Sequence, residues 1–343
     1  AAGTLGARTV GRGVAALVRA TEAMRQFSFA RAPLPRGSFR EIDAALESVE
    51  RAKTALRAMV KYVPVSLVRQ LYDSGRDPVL GAETRAVSLM FTDIADFTTH
   101  AEALPPDRLA QALGRYLGAA TGAVERTGGA VDKYIGDALM VLWNAPTLQA
   151  DHAAAACRGA LACAAATDAL VASEGWRRAG LAPWRTRFGI HTGPVLVGNF
   201  GAPERLNYTA MGDGVNLAAR LEGLNKFYGT AILVSDDTRR QAGDGFLFRE
   251  VDRVVVKGKA QVVAIHELVG MAADPAAAAR RPVLARYEEA LAAVRARRFA
   301  DALALLAPQR EDGPSRVLAG RCEIWMRTPP PDGWDGTWTA TSK

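Results

Sequence analysis

Val87-Ser-Leu-Met-Phe-Thr-Asp93 runs into Ile94-Ala-Asp-Phe-Thr98, and Asp132-Lys-Tyr-Ile-Gly-Asp137 follows about forty residues later. An apolar run that stops on a carboxylate predicts a strand delivering an acidic side chain to the edge of a sheet. The second acid follows Ile-Gly, and glycine there permits a hairpin turn between Val131–Ile135 and Ala138–Leu142. Asp93 and Asp137 would then meet at the ends of two adjacent strands, where paired carboxylates bind hard cations through oxygen. That arrangement suits two-metal chemistry on a nucleoside triphosphate.

Outward from these stretches, residues 84–270 alternate strands with helices. Strands are predicted at 86–92, 186–197, 231–234, 249–256 and 261–268, with a hairpin at 130–143. Helices fall at 105–127, 151–173 and 213–226, and the sum is an α+β sandwich. After Pro275 the chain turns rich in Ala, Leu and Arg. The runs from Tyr287 and Phe299 read as one helical pair of tetratricopeptide type, too small to bury a core alone and expected to pack on the preceding domain. Pro329-Pro-Pro331 and Trp334–Trp338 read as an extended tail.

The N-terminal part is different in kind. Residues 1–40 hold seven arginines against the single Glu22, while the whole chain of 343 residues carries +7. The basic stretch lacks aromatic interleaving, which argues against nucleic acid. It fits a juxtamembrane segment on the cytoplasmic side. No apolar run of transmembrane length stands out, so any span is expected upstream, and a chain opening on Ala suits a fragment. Val10, Val14, Leu17, Thr21 and Met24 repeat at helical steps, and a Pro-rich connector follows at 32–37. Ser38-Phe-Arg-Glu41 then has the pattern of a capping box. Phe39, Ile42, Leu46, Val49, Leu56, Val60 and Val63 fall on a and d heptad positions, with Lys53 the one polar d residue. The stripe is consistent with a parallel coiled coil or with an amphipathic helix packed on its own domain. Three scattered cysteines without ligand spacing suggest a reduced compartment, and four scattered histidines argue against zinc.

Five motifs carry a resemblance. Phe91-Thr-Asp-Ile-Ala-Asp-Phe-Thr, Asp132-Lys-Tyr-Ile-Gly-Asp-Ala, Arg187-Phe-Gly-Ile-His-Thr-Gly, Tyr208-Thr-Ala-Met-Gly-Asp-Gly-Val-Asn-Leu-Ala-Ala-Arg and Val256-Lys-Gly-Lys resemble, in order and spacing, the class III nucleotidyl cyclases. The resemblance implies a ferredoxin-like catalytic domain over 84–270 and two Mg²⁺ (or Mn²⁺) held by Asp93, Asp137 and the Ile94 carbonyl. One ion would polarise the ribose 3′-OH and the α-phosphate while the other holds the triphosphate. It further implies Arg220 as the residue stabilising charge on the α-phosphate and Asn216 as the ribose-orienting residue. Lys257 would hold the β- and γ-phosphates, with further substrate contacts at Phe97 and Thr98. Lys133 and Thr209 would read the base; lysine donates to adenine N1 and threonine accepts from the 6-amino group, so ATP is the implied substrate and 3′,5′-cyclic AMP the product. Since one subunit of the family supplies the metals and its partner the nucleotide-binding residues, a homodimer with two symmetric sites is implied. Asp96 and Pro194 depart from many relatives.

Residues 10–60 resemble in pattern the HAMP signalling domain. The expected organisation is a HAMP-like segment at 1–63, a coupling linker at 64–83, the catalytic domain at 84–270 and a helical C-terminal region at 271–343. The implied setting is the cytoplasmic face of a membrane beneath an upstream sensor. A guanylate cyclase, disfavoured by Lys133, and a catalytically silent dimeric module are the alternatives; a diguanylate cyclase lacks its Gly-Gly-Asp/Glu-Glu-Phe stretch here.

Overall fold

A computed structural model describes residues 2–30, 40–75, 77–255 and 262–339, in two compact units that divide after Asp77. The first unit holds α1 (Ala2–Arg25), α2 (Arg40–Met59) and α3 (Val65–Ser74). Gly13 faces Ile42, whose Cγ2 would lie 2.8 Å from an added Cβ, and Arg57 Nη1 donates to Phe29 O at 2.9 Å. The two contacts advance together along both segments, so α1 and α2 run parallel. Along the heptad stripe Leu46 and Lys53 are the buried residues of α2, and the Lys53 ammonium meets Glu50 Oε1 at 2.7 Å. The helix stops at Met59, so Val60 and Val63 fall outside the stripe expected to reach residue 63. Val63 precedes Pro64, and a residue before proline is pushed out of the helical region. The connector, Ser38 and Phe39 lie outside the described residues.

In the second unit β1 (Gly81–Ile94) leads to α4 (Phe97–Glu102), α5 (Pro106–Glu125), β2 (Ala130–Ile135) and β3 (Ala138–Trp143). Next come α6 (His152–Ala172), α7 (Glu174–Arg178), β4 (Thr186–Ala202), β5 (Arg205–Met211) and α8 (Asp213–Tyr228). The chain continues through β6 (Ile232–Ser235), α9 (Asp236–Ala242), β7 (Phe246–Val255) and β8 (Val262–Met271). The sheet order is β2-β3-β1-β4-β6-β8-β7-β9, where β9 is Trp338–Thr339, and β5 pairs β4 off this path. Only β4 with β6 and β7 with β9 pair in parallel among the described strands.

Both faces of the sheet are covered, which is why β1 reads as a continuous apolar run. Met90 joins Val141, Phe188 and Ile190 in a core under the alanines and cysteines of α6. Val87 and Leu89, on the opposite face, pack with Leu142, Val195 and Ala218 of α8. By length and composition α6 would pass for a membrane span, but Ala155, Ala156, Cys157, Ala160 and Cys163 are fully buried in that core. The three cysteines are free, and burial pushes the Cys157 and Cys163 thiols up to about 12.

The C-terminal part is larger than a helical pair, and its tail is packed. Helices α10 (Pro275–Ala278), α11 (Arg281–Arg295), α12 (Phe299–Leu306) and α13 (Gly313–Arg327) belong to the same compact unit as the sheet. Trp334 and Trp338 close on Trp325 with ring centroids at 4.8 and 6.2 Å, and β9 adds to the edge of β7. Aromatic area and ladder bonds hold this segment where its prolines suggested extension. Two buried charge clusters fasten the helices to the sheet. Arg249 Nε donates to Glu267 Oε2 at 3.0 Å and its Nη1 to Asp312 Oδ2 at 2.7 Å. Arg321 pairs with Asp252 and donates to Tyr228 Oη at 3.1 Å, while that hydroxyl donates to Asp252 at 2.5 Å.

Removing one partner of a buried pair strands the other's charge. Arg321→Ala is therefore expected to destabilise the unit by about 3–5 kcal/mol, measured by urea unfolding followed through tryptophan fluorescence. A loss below about 1 kcal/mol, the range of exposed pairs, would show that water reaches Asp252.

Candidate active site

Asp93 lies one residue before the end of β1 and Asp137 in the two-residue turn between β2 and β3, where Gly136 has φ +66°. The turn brings the acids together: the Ile94 amide donates to Asp137 Oδ2 at 3.0 Å. Opposite Asp93 in the ladder stands Arg187, and cross-strand neighbours of this kind touch. Its Nη2 donates to Asp93 Oδ2 at 2.6 Å, and its Nε lies 3.3 Å from Glu222 Oε1 on α8. The second contact is ionic without hydrogen-bond geometry, so Glu222 Oε1 is buried with no donor.

This corner therefore sets Asp93 and Glu222 against one guanidinium, with Asp137 beside Asp93. Burial first, then the Asp93 charge, raise the Glu222 carboxyl to about 7 against the opposing Arg187; burial also raises Asp137, with Asp93 adding to it. Among the described residues no group of three or more His, Cys, Asp or Glu forms a ligand cage. The donor set is a pair of carboxylates with main-chain oxygen. That fits a hard divalent ion that also takes substrate phosphates and water, as Mg²⁺ does.

Gly189 decides where α8 lies. An added Cβ there would sit inside contact distance of Glu222 N and Ala218 O and 2.8 Å from Glu222 Cα, so strand and helix touch backbone to backbone. Leu217, Ala218 and Leu221 are the buried face of α8, and Glu222 turns to Arg187. Asn216 and Arg220 are exposed on one face, four residues apart. At 3.6 residues per turn Arg220 points about 160° away from Glu222 around the helix axis. Arg220 is thus directed away from the carboxylate corner of its own chain.

Lys133 and Thr209 come together at Asp132, a residue that sequence reasoning passed over. Thr209 Oγ1 donates to Asp132 Oδ2 at 2.6 Å, and Lys133 Nζ lies 3.5 Å from the same oxygen. Arg187 and Glu222 were missed as site residues too. The available signal was charge inside an apolar strand and on the sheet-facing side of a helix. Phe97 and Thr98 open α4; the Phe97 ring is spent on Trp184, with centroids 5.8 Å apart, and Thr98 is exposed. Asp96 adopts φ +55° ahead of that helix, exposed and 3.9 Å from Lys226. Pro194 pairs with Ala86 in the ladder of β1 and β4. Lys257 and its motif lie outside the described residues.

The mixed sheet clad on both faces thus carries an acid pair at one hairpin and a separate polar face on α8. Residues 80–268 match the family model of the adenylate and guanylate cyclase catalytic domain, and the chain belongs to that family, the class III nucleotidyl cyclases. Adenylate cyclase 1 of Rhizobium meliloti (strain 1021) is 41% identical over 231 residues, 67% of this chain and 34% of the relative. An adenylate cyclase of Anabaena cylindrica is 34% identical over 238 residues, 67% of this chain and 47% of its own length. The chain thus spans a third to a half of these relatives. The crystal structure of the adenylyl cyclase CyaB from P. aeruginosa is 34% identical with a TM-score of 0.52, covering 57% of this chain and 99% of that one.

The raised Glu222 carboxyl links this corner to stability. The folded chain holds its proton more tightly than the unfolded chain, whose carboxyl titrates near 4.5. Its stabilising share is therefore complete below about 4.5 and is lost as pH rises through about 7. Metal-free protein is expected to lose urea resistance across this window. Glu222→Gln should flatten the curve, the raised Asp137 and Asp132 carboxyls still acting in the same sense. Parallel curves for the two proteins would place Glu222 in contact with water.

Proposed function

We propose that this chain is an adenylate cyclase that converts ATP to 3′,5′-cyclic AMP and pyrophosphate in a homodimer. What carries the reading is the division of labour within one chain. The carboxylate corner faces one way, while Arg220 and Asn216 are exposed on another side of α8. A complete site then needs the corner of one subunit and the α8 face of a second. Tyr134 and Ile135 in the β2–β3 hairpin, and Leu196 opposite Met211 on β4 and β5, are about half exposed and offer apolar surface for that partner.

In this reading Asp93, Asp137 and the Ile94 carbonyl hold the metals, which supply Lewis-acid activation of the ribose 3′-OH and charge neutralisation at the phosphates. In the chain without metal Arg187 offsets the Asp93 charge, a task the cation would take over. Asn216 orients the ribose so that the 3′-oxygen lies in line with the α-phosphate. The new bond joins that oxygen to α-phosphorus as its proton passes to water, and the bond to the β-phosphate oxygen breaks, releasing pyrophosphate. Arg220 stabilises the charge gathering on the α-phosphate oxygens. Lys257 engages the leaving phosphates, contacts at Phe97 and Thr98 fall to their main chain, and Lys133 with Thr209 reads adenine.

The assay is purified protein with ATP or GTP and Mg²⁺ or Mn²⁺, reading the cyclic product; cyclic AMP is expected. Asp93→Ala and Arg220→Ala should each be folded and inactive. An equal mixture should recover about a quarter of wild-type activity, because half the dimers are mixed and each of those has one intact site. Verified mixed dimers that stay dead would exclude the shared site.

For the N-terminal unit we infer a HAMP-like relay on the cytoplasmic face of a membrane, driven by an upstream sensor. The parallel run of α1 and α2 and the arginine-rich first forty residues support it. Rotation or register shift of α2 would then reset how two catalytic units face each other, and displacements near 1 Å cost on the order of a hundredfold in rate. Inserting one to seven residues after Ala58 should make activity oscillate and recover near seven. A flat or monotonic response would reduce the helices to a dimerising device.

A further inference from the structure

Asp132 occupies a bulge in β2. Val131 pairs with Val141 and Lys133 with Met140, so the ladder takes two steps on β2 for one on β3. Regular alternation would turn Asp132 and Lys133 to opposite faces, whereas a bulge re-aims side chains and is frequent beside active sites. Here the Asp132 side chain is 3% exposed and the Lys133 side chain 44%, yet the ammonium stands 3.5 Å from the carboxylate. The same oxygen accepts from the Thr209 hydroxyl at 2.6 Å.

Hydrogen-bond direction gives this geometry chemical content. A threonine hydroxyl has one proton and two lone pairs, and an ionised carboxylate can only accept. The Thr209 proton is committed to Asp132, so the hydroxyl has only lone pairs left to offer. Lys133 can offer only N–H donors. Together they present an acceptor beside a donor. A 6-amino purine complements that pair with its amino group and bare N1. A 6-oxo purine meets it with a carbonyl facing lone pairs and an N1–H facing an ammonium.

We propose that Asp132 is a specificity-determining positioning residue, which fixes the polarity of Thr209 and the place of Lys133 and so selects a 6-amino over a 6-oxo purine nucleotide. The inference rests on the reading of Lys133 and Thr209 as the base-facing pair. An asparagine at 132 can instead turn its amide nitrogen to Thr209 and donate to the hydroxyl, which frees the hydroxyl proton for another acceptor.

The experiment compares wild type, Asp132→Asn, Thr209→Val and the double variant. One readout is kcat/KM for ATP against GTP. The other is the calorimetric affinity ratio for 3′-deoxy-ATP against 3′-deoxy-GTP, which bind but have no 3′-hydroxyl to cyclise. Asp132→Asn should lower both ratios about tenfold, the weight of one hydrogen bond. Thr209→Val should do the same, and the double variant should add little. A general loss of fold would lower both nucleotides together and leave the ratio unmoved. An unchanged ratio in folded Asp132→Asn overturns the proposal. Should that variant not fold, an unchanged ratio in Thr209→Val overturns it equally, as does a wild type without preference between the two analogues. A wild type that prefers 3′-deoxy-ATP but makes no cyclic product would overturn the cyclase reading, and its loss of preference in the variants would still support this one.

Discussion

The contact between α8 and β4 at Gly189 is the constraint around which the catalytic unit is arranged. With no side chain between them, helix and strand meet backbone to backbone. At that distance the buried face of α8 can hold only residues such as Ala218 and Leu221, and Glu222 is carried to Arg187. The outward direction of Asn216 and Arg220 then follows from helical periodicity alone. A single missing methyl group thus sets which residues of α8 serve their own chain and which are offered to another.

Electrostatics at the two corners differ in a way that suits their proposed tasks. At the carboxylate corner negative charge exceeds positive, Glu222 Oε1 lacks a donor, and carboxyls are pushed up. Such a site gains from a cation. At Asp132 the charges balance locally: a buried carboxylate, raised by burial but opposed by Thr209 and Lys133, closes its own hydrogen bonds. That site is preorganised and gains from a neutral ligand with matching edges.

Much of this was legible in the sequence where a pattern had a single physical cause. The apolar run ending at Asp93, the glycine of the Asp137 turn and the helix at 213 each correspond to an observed element. Other features depended on partners far along the chain. The strand at 205–211 alternates too weakly to be read without β4 beside it. Helix α9, capped by the Ser235 hydroxyl accepting from the Thr238 amide, is short enough to pass for a turn. Strand β1 begins at Gly81, five residues early, because its polar start is held by ladder bonds to β4 and not by apolar burial. Asp132 was invisible because a bulge breaks the alternation from which strand faces are read.

The family match ends at residue 268, but the charge balance of the folded unit does not. Arg249 is fully buried and shared between Glu267, inside that boundary, and Asp312, outside it. Asp252 and the C-terminal residue of α8, Tyr228, look to Arg321, also outside. A chain cut at the family boundary would keep every proposed active-site residue while baring buried ionic groups at the far end of the helix that carries Arg220. The C-terminal helices are thus an internal counter-ion for the catalytic sheet. Where the homologous domain stops and where the folding unit stops are different places.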